Sequence, residues 1–455
     1  MTYKYGTAGF RFNADEILKI SQKIAIGCTS ILSQKACHNN FLAIMITASH
    51  NPECDNGIKI INHQGQMIEQ NDEQILEEIV NANHQVLTDT ILQLENNPPT
   101  IKILFGRDTR KSGKHIQSEM MKGFDQVSKA TFIDAGEVST PLLHHIAFHQ
   151  SLTSINNYLT ELRNIKLPKP IYVDCAGGVG ARVLQQINHP DILFGCTPDN
   201  STLNLHCGSE HILTTNSLPP KWNIPNNTMG CSLDGDADRL VFWYKTSKKL
   251  HILDGDNQMA LWAFFLKSKF QSVAAITTPY CNGATIQFLK SHNINVITTP
   301  TGIKNLHNEA QKYPNAVYFE NNGHGTAHWE NEIILKNNQK LINNPHIGDG
   351  IYNIITTLQI LEELNMTFEE WINLYEKKPV YQYKIPVENL LELETTGVMY
   401  DVVHPIWLKE YIERKSKKYD ARIFLRKSGT EPIIRVYVES YKLKKLKKSI
   451  TKKIK

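Results

Sequence analysis

Short runs of apolar, often β-branched residues recur along the chain, and each ends in Gly, Asp, Asn or Ser before a segment with helical periodicity. This succession is typical of α/β units, in which helices cover a sheet. Because ligands bind outside the carboxyl ends of strands in open α/β sheets, we expect the polar clusters after these runs to carry the chemistry. The clearest runs are FLAIMIT, IKILFGRDT, ATFIDAG, KPIYVDCAGG, SVAAITTPYCNG, INVITTPTG and AVYFENNGHG.

Proline and charge interrupt the apolar pattern at three joints, and these predict four domains in the 455-residue chain. The joints are LPKP at 167–170, the stretch before Leu253, and EKKPVYQYKIP at 376–386. We predict three related α/β units with mixed sheets flanked by helices and a C-terminal α+β domain, arranged around a central active-site cleft. The predicted boundaries are 1–150, 151–252, 253–378 and 379–455.

Composition and charge exclude some classes of protein. With 41% hydrophobic and 21% charged residues, the chain is typical of globular proteins rather than of disordered ones. The net charge of +4 comes from the last fourteen residues, which hold eight lysines and no acid, so the rest of the chain carries −4. We therefore predict no nucleic-acid partner.

The lysine-rich end has its own pattern, because Leu443, Leu446, Ile450 and Ile454 recur at nearly helical spacing. This spacing predicts a final helix that packs on its domain and exposes its lysines to solvent. The alternative is an amphipathic basic helix that binds an anionic surface.

The cysteines and the apolar runs indicate a compartment. The eight cysteines are scattered without any C-x-x-C pair, which favours a reducing environment. The N-terminus has no apolar signal core, and the longest strongly apolar run, 259–266, is too short for a bilayer. We expect a cytoplasmic protein without a membrane partner.

Three acidic residues in CSLDGDADRLVFWYK predict a metal site. Asp234, Asp236 and Asp238 alternate between two apolar segments, where three carboxylates would repel one another without a cation. Carboxylate oxygens suit Mg²⁺. An EF-hand is excluded because Arg239 and Lys245 stand where that loop needs Gly and Glu. A solvated acidic turn is the alternative.

Several basic loops accompany this acidic motif, and a divalent ion together with basic loops indicates phosphoryl transfer. GTAGFR ends in Arg11, and FGRDTRKSG supplies Arg107 and Arg110. The segment FLRKSGTEPIIR resembles an anion cradle of guanidiniums, hydroxyls and backbone N–H groups. Its predicted phosphate ligands are Arg426, Ser428, Gly429, Thr430 and Arg435.

A further polar loop, FENNGHGT, contains Glu320, Asn322 and His324 beside two glycines, one of which is Gly323. Its side chains can hydrogen-bond hydroxyl groups, so a sugar fits this loop better than an apolar ligand. A polar turn without a ligand is the alternative.

Ser49, in the stretch MITASHNP, ends an apolar run where its hydroxyl would be exposed. Near a metal ion it could act as a nucleophile or phosphoryl carrier. His50 and Lys59 are then the candidates to transfer the substrate's proton. The alternative is a serine that only satisfies a turn.

Four motifs together resemble the α-D-phosphohexomutase family, one per predicted domain. In order, they are TASHNP with DNGIKI, then DGDADR, FENNGH and RKSGTEP. Within the family, GTAGFR, the later GRDTR, NLHCGSEHI, PTGIKNLH and NGHGT are most similar to members that act on N-acetylglucosamine phosphates. The resemblance covers residues 5 to about 440.

The resemblance implies isomerisation of N-acetylglucosamine 6-phosphate to the 1-phosphate, towards UDP-N-acetylglucosamine. The implied cofactors are one Mg²⁺ per chain, a phosphoserine at Ser49 and a sugar 1,6-bisphosphate activator, and the implied partner is a small sugar phosphate. We expect a monomer. Ser49 and the three aspartates would hold Mg²⁺. Arg11, His50 and Lys59 would surround the phosphoryl group that is transferred, and Arg239 would bind the substrate beside the metal. The residues that would bind the sugar are Glu320, Asn322, Gly323 and His324. The cradle would bind the phosphate that does not react.

Three other hypotheses remain at this point. The first is a sibling mutase that acts on glucose or mannose phosphates. The second is a metal-dependent phosphatase with an aspartate nucleophile from DGDADR. The third, from another functional class, is a sugar-phosphate binding protein without catalytic activity.

Overall fold

The computed structural model describes residues 2–6, 9–34, 40–220, 222–387, 393–427 and 433–454. The chain forms two compact units, which we describe separately. The first contains Met1–Asp254, Asn322–Thr326 and Glu332–Asn365, and the second contains Gly255–Asn321, Ala327–Asn331 and Met366–Lys455.

The N-terminal part of the first unit is a five-stranded mixed sheet with helices packed against it. The strand order is β1-β3-β2-β4-β5, with β3 antiparallel to both of its neighbours and β2, β4 and β5 parallel. The elements are β1 (Phe10–Asn13), α1 (Ala14–Gln34), β2 (Phe41–Ile46), β3 (Asp55–Ile61), α2 (Gln70–Asn81), α3 (His84–Asn96), β4 (Thr100–Arg107), α4 (Gly113–Val127), β5 (Lys129–Glu137), α5 (Thr140–His149) and α6 (Ser154–Asn164).

The register of three neighbouring strands brings predicted site residues together. Ser49 follows β2, and Lys59 on β3 lies opposite Met45 of β2. Arg11 on β1 lies opposite Gly57 of β3. Because side chains two residues apart on a strand share a face, Arg11 and Lys59 project from the same face of the sheet.

A second five-stranded sheet, of order β10-β9-β8-β6-β7, carries the acidic motif. Strands β8 and β9 are antiparallel, and their last ladder pair is Leu233 with Leu240, so residues 234–239 form the connecting loop. The elements are β6 (Ile171–Asp174), α7 (Gly180–Ile187), β7 (Ile192–Gly195), α8 (Ser209–Thr215), β8 (Thr228–Leu233), β9 (Leu240–Lys245) and β10 (Leu250–Leu253).

The next segment forms a four-stranded sheet of order β12-β11-β13-β14, in which β11 is parallel to β12 and β13. Helix α9 is apolar on most sides and buries Trp262 edge-on against Phe319. The elements are α9 (Gly255–Lys269), β11 (Ala274–Thr277), α10 (Gly283–Ser291), β12 (Asn295–Thr298), α11 (Ile303–Ala310), β13 (Ala316–Phe319), β14 (Gly325–His328), α12 (Gly350–Glu363) and α13 (Phe368–Ile372).

The C-terminal part of the second unit is an antiparallel sheet of order β15-β19-β18 with two helices. Leu446, Ile450 and Ile454 of the last helix are buried in the same apolar core as Leu408 and Val436. The predicted docking of the lysine-rich end on its own domain is therefore confirmed. The elements are β15 (Val380–Pro386), β16 (Glu394–Thr395), β17 (Val402–His404), α14 (Ile406–Tyr419), β18 (Arg422–Lys427), β19 (Ile433–Glu439) and α15 (Leu443–Ile454).

The architecture confirms the predicted fold class of mixed sheets flanked by helices with a C-terminal α+β part. The four domain boundaries stay a prediction. Among the described residues, no helix is long and apolar enough to cross a membrane.

Helix α12 connects the fold to the acidic loop. Asp349 caps its N-terminus by accepting hydrogen bonds from the backbone N–H groups of Ile351 (3.1 Å) and Tyr352 (3.2 Å). The next residue, Gly350, donates its N–H to the carbonyl of Ala237 in the acidic loop (2.9 Å). Asp349 is fully buried, and burial raises its carboxyl pKa to about 6.

The raised pKa of Asp349 predicts a pH-dependent stability. The fold favours the neutral form of the Asp349 carboxyl group. Its contribution to the free energy of unfolding is therefore complete below the unfolded pKa of about 3.9 and is lost as the pH rises through 6. Asp349→Asn keeps a capping side chain and cannot ionise. Relative to wild type, its free energy of unfolding should rise by about 1.4 kcal/mol between pH 5 and pH 7.5.

Urea unfolding at the two pH values measures this difference. Asp89→Asn, on the exposed side of α3, is the matched control for loss of a carboxylate. The quantity to compare is the free energy of unfolding of Asp349→Asn minus that of wild type. A value that is equal at both pH values, or larger at pH 5, would contradict the prediction.

Candidate active site

The Ser49 hydroxyl points at the acidic loop. Its Oγ donates a hydrogen bond to Asp234 Oδ2 at 2.6 Å, and both residues are buried. Ser49 has a φ of +53°, which is costly for a residue other than glycine. Its N–H donates to Thr47 Oγ1 at 2.9 Å. The surrounding contacts therefore hold the serine in an unfavourable backbone conformation that presents its hydroxyl.

Arg110 supplies most of these contacts through the backbone of residues 49–55, which we call the serine loop. Its guanidinium is buried and donates to the carbonyl oxygens of Ser49 (3.1 Å), Asn51 (2.9 Å), Pro52 and Asp55 (2.8 Å). We expected this arginine among the basic loops that serve an anionic ligand, and that expectation is wrong. Its donors are occupied by the loop, so it is a positioning residue.

Two further side chains complete this support. Asp108 pairs with Arg110 at 3.0 Å and accepts from the hydroxyl of Thr47 at 2.7 Å. Asn204 Nδ2 donates to the carbonyls of Ser49 (2.8 Å) and Asn51 (3.0 Å) from the second sheet's side of the site. The loop is thus fixed by groups that are distant in sequence.

The other arginine of this segment has a local role. Arg107 donates to Asp134 Oδ1 at 2.7 Å and to Gln117 Oε1 at 2.8 Å. Through Nη1 it links β4 to β5 and α4, and its expected service to an anionic ligand stays a prediction.

The acidic motif forms a candidate metal site. Each of Asp234, Asp236 and Asp238 is at most 2% exposed, and one oxygen from each lies within 4.8 Å of the others. Within the described part of the chain, Asp236 Oδ1 and Asp238 Oδ1 accept no hydrogen bond. Buried carboxylate oxygens without donors fit a hard divalent cation such as Mg²⁺.

Lys59 partly compensates the negative charge of these aspartates. Its Nζ lies 2.7 Å from Asp236 Oδ2 and 2.9 Å from Asp238 Oδ2. Burial lowers the pKa of Lys59, but the two carboxylates outweigh it and the net pKa is raised. Lys59 is thus an ammonium in this arrangement.

The three carboxylates differ in their protonation. Burial and Asp238 raise the pKa of Asp236, but the Lys59 ammonium and the hydrogen bond from Thr140 together outweigh both, so the net pKa is lowered. Asp238 also has a lowered pKa, because His324, Lys59 and Arg239 together outweigh its burial. Burial and the two neighbouring aspartates raise the pKa of Asp234. A further cation would allow the third carboxylate to ionise as well.

Positive groups line the other side of the serine. Arg11 Nη1 donates to Asn51 Oδ1 at 3.3 Å, while its Nε and Nη2 have no hydrogen-bond acceptor among the described residues. Arg239 Nε lies 3.7 Å from Asp234 Oδ2. Burial, Arg239 and Arg11 lower the pKa of His50 to about 3, so its imidazole is neutral at pH 7. The unused Arg11 donors fit an anion such as a phosphoryl group.

Residues 322–324, the second half of the FENNGH motif, also belong to this site. Gly323 accepts a hydrogen bond from the N–H of Leu240, the first residue of β9, and has a φ of +87°. A Cβ at this position would lie 1.9 Å from the Leu240 carbonyl oxygen, so only glycine fits. His324 Nε2 lies 4.0 Å from Asp238 Oδ2, and Asn322 Oδ1 accepts from the His324 N–H at 3.0 Å.

The remaining predicted ligands belong to the second unit. Glu320 Oε1 accepts from the N–H of Gly302, just before α11, at 2.9 Å. Arg426 and Arg435 are directly opposite in the β18–β19 ladder, and the Arg426 guanidinium lies over the Tyr400 ring at 5.3 Å. Ser428, Gly429 and Thr430 lie outside the described residues.

Sequence reasoning missed one side chain that touches the acidic loop. Thr140 Oγ1 donates to Asp236 Oδ2 at 2.6 Å, and its N–H donates to the Asp236 carbonyl at 3.0 Å. In the sequence, Ser139, Thr140 and Pro141 indicate only the start of a helix, which they also form. No local signal connects this threonine to the aspartates.

Three family models match the chain. Residues 254–363 match phosphoacetylglucosamine mutase AMG1, domain III. Residues 12–87 match the alpha/beta/alpha domain I of phosphoglucomutase/phosphomannomutase, and residues 410–453 match its C-terminal domain. The matches occur in the order that the motifs predict.

Relatives and solved structures match over nearly the whole chain. The phosphoacetylglucosamine mutase of Candida albicans is 30% identical over 97% of this chain and 93% of its own length. An N-acetylglucosamine-phosphate mutase in its substrate complex has a TM-score of 0.87 at 28% identity, covering 100% of this chain and 96% of that one. The Aspergillus fumigatus N-acetylphosphoglucosamine mutase with GlcNAc-6P and magnesium has a TM-score of 0.86 at 27% identity, covering 99% and 95%.

The contact of Thr140 with Asp236 predicts a role in metal binding. Thr140→Val keeps the shape of the side chain and removes the hydrogen bond that orients the carboxylate. Because such supporting contacts tune metal ligands, we expect Mg²⁺ affinity to fall by about tenfold, measured by isothermal titration calorimetry. Thr140→Ser, which keeps the hydroxyl, should bind as wild type does, and equal affinity in both variants would refute this role.

Proposed function

Because the chain belongs to the phosphoacetylglucosamine mutase family, we propose that it interconverts N-acetylglucosamine 6-phosphate and N-acetylglucosamine 1-phosphate. The observation that carries the proposal is the Ser49 hydroxyl, held 2.6 Å from a buried aspartate of a three-carboxylate site. This arrangement suits a serine that carries a phosphoryl group. The reaction would supply the 1-phosphate for UDP-N-acetylglucosamine biosynthesis.

The proposed reaction has two transfers of one phosphoryl group each. A sugar hydroxyl oxygen attacks the phosphorus of phosphoserine 49, the bond from phosphorus to Ser49 Oγ breaks, and the hydroxyl proton passes by way of Lys59 or His50 to the leaving Ser49 Oγ. The resulting 1,6-bisphosphate turns end for end, and Ser49 Oγ attacks its other phosphorus to restore the phosphoenzyme. Free sugar 1,6-bisphosphate would activate the unphosphorylated protein by the same second step.

The residues of the first unit have distinct proposed roles. Asp234, Asp236, Asp238 and a phosphoryl oxygen on Ser49 would hold Mg²⁺. The ion, when bound, neutralises charge on the phosphoryl oxygens. The unused N–H groups of Arg11 would bind the same phosphoryl group, and Arg239 would bind the substrate beside them.

Lys59 is the proposed residue for proton transfer. In the present arrangement its ammonium can donate a proton to a leaving oxygen, and it can accept one only when another cation takes over its two aspartates. His50, neutral and next to the serine, is the proposed second group for this proton.

Sugar and phosphate recognition complete the proposal. Asn322, Gly323 and His324 would bind the sugar beside the acidic loop, and Glu320 would bind another of its hydroxyls. Arg426, Ser428, Gly429, Thr430 and Arg435 would bind the phosphate that does not react. The likeness of the RKSGTEP stretch to the phosphate motif of the family supports this last assignment.

The proposed division into four domains, at 1–150, 151–252, 253–378 and 379–455, gives each domain one main sheet. Support comes from the strand orders, in which β1–β5, β6–β10, β11–β14 and the last strands do not mix. We also propose a monomer in the cytoplasm. The seven cysteines within the described residues are free thiols, which favours a reducing compartment.

Ser49→Ala tests the reaction and its carrier together. In phosphorus NMR with Mg²⁺, N-acetylglucosamine 6-phosphate and a trace of the 1,6-bisphosphate, wild type should produce a 1-phosphate resonance. Removal of the nucleophile should lower the rate by roughly 10³-fold or more. Ser33→Ala, an exposed serine on α1, is the matched control and should keep the rate.

Other outcomes would favour the competing functions. Inorganic phosphate as the product, with activity retained in Ser49→Ala and phosphate trapped on aspartate, would indicate the phosphatase. Tight binding of the sugar phosphate without any turnover would indicate the binding protein.

Turnover on three sugar phosphates tests the substrate. We expect kcat/KM for N-acetylglucosamine 6-phosphate to exceed that for glucose 6-phosphate and mannose 6-phosphate by about tenfold or more, because an acetamido group adds a donor and an acceptor that a polar loop can bind. A dominant preference for glucose or mannose phosphate would reassign the chain to the sibling activity.

A further inference from the structure

A cavity of about 190 Å³ in the first unit, separate from the serine and the aspartates, is rich in histidine. Helix α5 contributes His144, His145 and His149, and the segment before α12 contributes His346. Phe148 and Glu161 also line it. None of these residues has a part in the proposed mutase reaction, so the cavity requires its own explanation.

Two of the histidines lie side by side on helix α5. His145 and His149 are four residues apart on one face of α5, and their ring centroids lie 4.6 Å apart. Two imidazoles at this spacing on a helix can bind one metal ion together, as in helical zinc motifs.

The ring separation is compatible with two imidazoles on one metal ion. With metal–nitrogen bonds of about 2.1 Å, each ring centre lies about 3.2 Å from the metal, so two ligating rings have centroids about 4.5 Å apart at 90° and about 5.2 Å apart at the tetrahedral angle. The observed 4.6 Å falls in this range. Imidazole ligands suit Ni²⁺, Cu²⁺ and Zn²⁺, and the affinity of nitrogen sites for divalent ions generally peaks at Cu²⁺.

A hydrogen bond fixes the tautomer of one ring. His145 Nε2 lies 3.2 Å from the carbonyl oxygen of Ser154, just where α6 begins. A carbonyl only accepts, so Nε2 carries the hydrogen and Nδ1 has the lone pair. A backbone carbonyl that binds the second nitrogen of a ligating histidine is the usual support of such sites.

The other two histidines have different contacts. His144 is buried, and its Nδ1 lies 2.8 Å from the Gly65 carbonyl. His346 stacks on Phe148 with centroids 4.9 Å apart. Within the described residues only the aspartates 234, 236 and 238 place three acidic, histidine or cysteine ligands within 4.8 Å, so the α5 pair is a two-ligand site.

We propose that His145 and His149 bind a divalent transition-metal ion of the Ni²⁺ or Cu²⁺ type, with water in its remaining positions. This site takes nitrogen ligands, whereas the three aspartates offer only oxygen and suit Mg²⁺. The two sites therefore select different ions, and the inference does not depend on the mutase activity.

Calorimetric titration of the full-length protein with Ni²⁺ tests the proposal. Millimolar Mg²⁺ is present throughout to occupy the aspartates, and any affinity tag that contains histidine is removed. Wild type should bind one Ni²⁺ per chain, and His149→Ala should weaken binding by about tenfold or more, since one of two imidazoles is lost. His149 is exposed, and an unchanged thermal unfolding curve in EDTA confirms that the variant folds.

Two matched controls separate this site from others. His346→Ala changes the same cavity without removing a proposed ligand and should bind Ni²⁺ as wild type does. Asp236→Asn should also bind Ni²⁺ as wild type does. Binding that is lost in Asp236→Asn but kept in His149→Ala would place the ion at the aspartates and overturn the proposal, and so would an absence of Ni²⁺ binding in wild type.

A spectroscopic test reports the ligands directly. The electron paramagnetic resonance spectrum of bound Cu²⁺ should show splitting from two nitrogen ligands in wild type and from one in His149→Ala. A spectrum with oxygen ligands alone would overturn the proposal.

Discussion

Compensation of three buried carboxylates is the constraint on which the rest of the site depends. Asp234, Asp236 and Asp238 lie too close together to be ionised without positive charge, because unpaired charges are very costly away from water. Lys59 supplies part of that charge from a strand of the other sheet. The two sheets of the first unit are therefore joined by electrostatic contacts.

Strand register is what makes this compensation possible. Lys59 reaches the aspartates because β3 is aligned with β2 so that its side chain projects on the same face as Arg11. A shift of β3 by one residue against β2 would turn Lys59 to the opposite face. The buried isoleucines at positions 58 and 60, which alternate with Lys59, prevent such a shift because they would have to leave the core.

The sequence was informative where function depends on local pattern. Ser49 follows an apolar strand, and the three aspartates lie between two strands, so both sites follow from the rule that α/β proteins bind ligands at strand ends. The final helix follows from its apolar spacing in the same way. Arg110, Asn204 and Thr140 could not be assigned, because the loop carbonyls and the carboxylate that they bind are 55 or more residues away and only the folded chain brings them together.

Arg110 also illustrates why residue type alone misleads. An arginine beside Gly, Asp and Thr has the composition of a phosphate-binding loop, yet its donors are used by four backbone carbonyls. Whether an arginine serves a ligand or the backbone depends on which acceptors lie within its reach, and these come from the tertiary structure.

The attachment of the serine loop through its backbone has a consequence for evolutionary comparison. Arg110 and Asn204 bind carbonyl oxygens, which every amino acid possesses, so they impose no side chain on the positions that they anchor. Residues between these anchored positions, such as Glu53 and Cys54, can be substituted without displacing the nucleophile. Divergence at loop positions other than Ser49, His50 and Asn51 is therefore a poor measure of lost activity, whereas replacement of the two distant anchors is a good one.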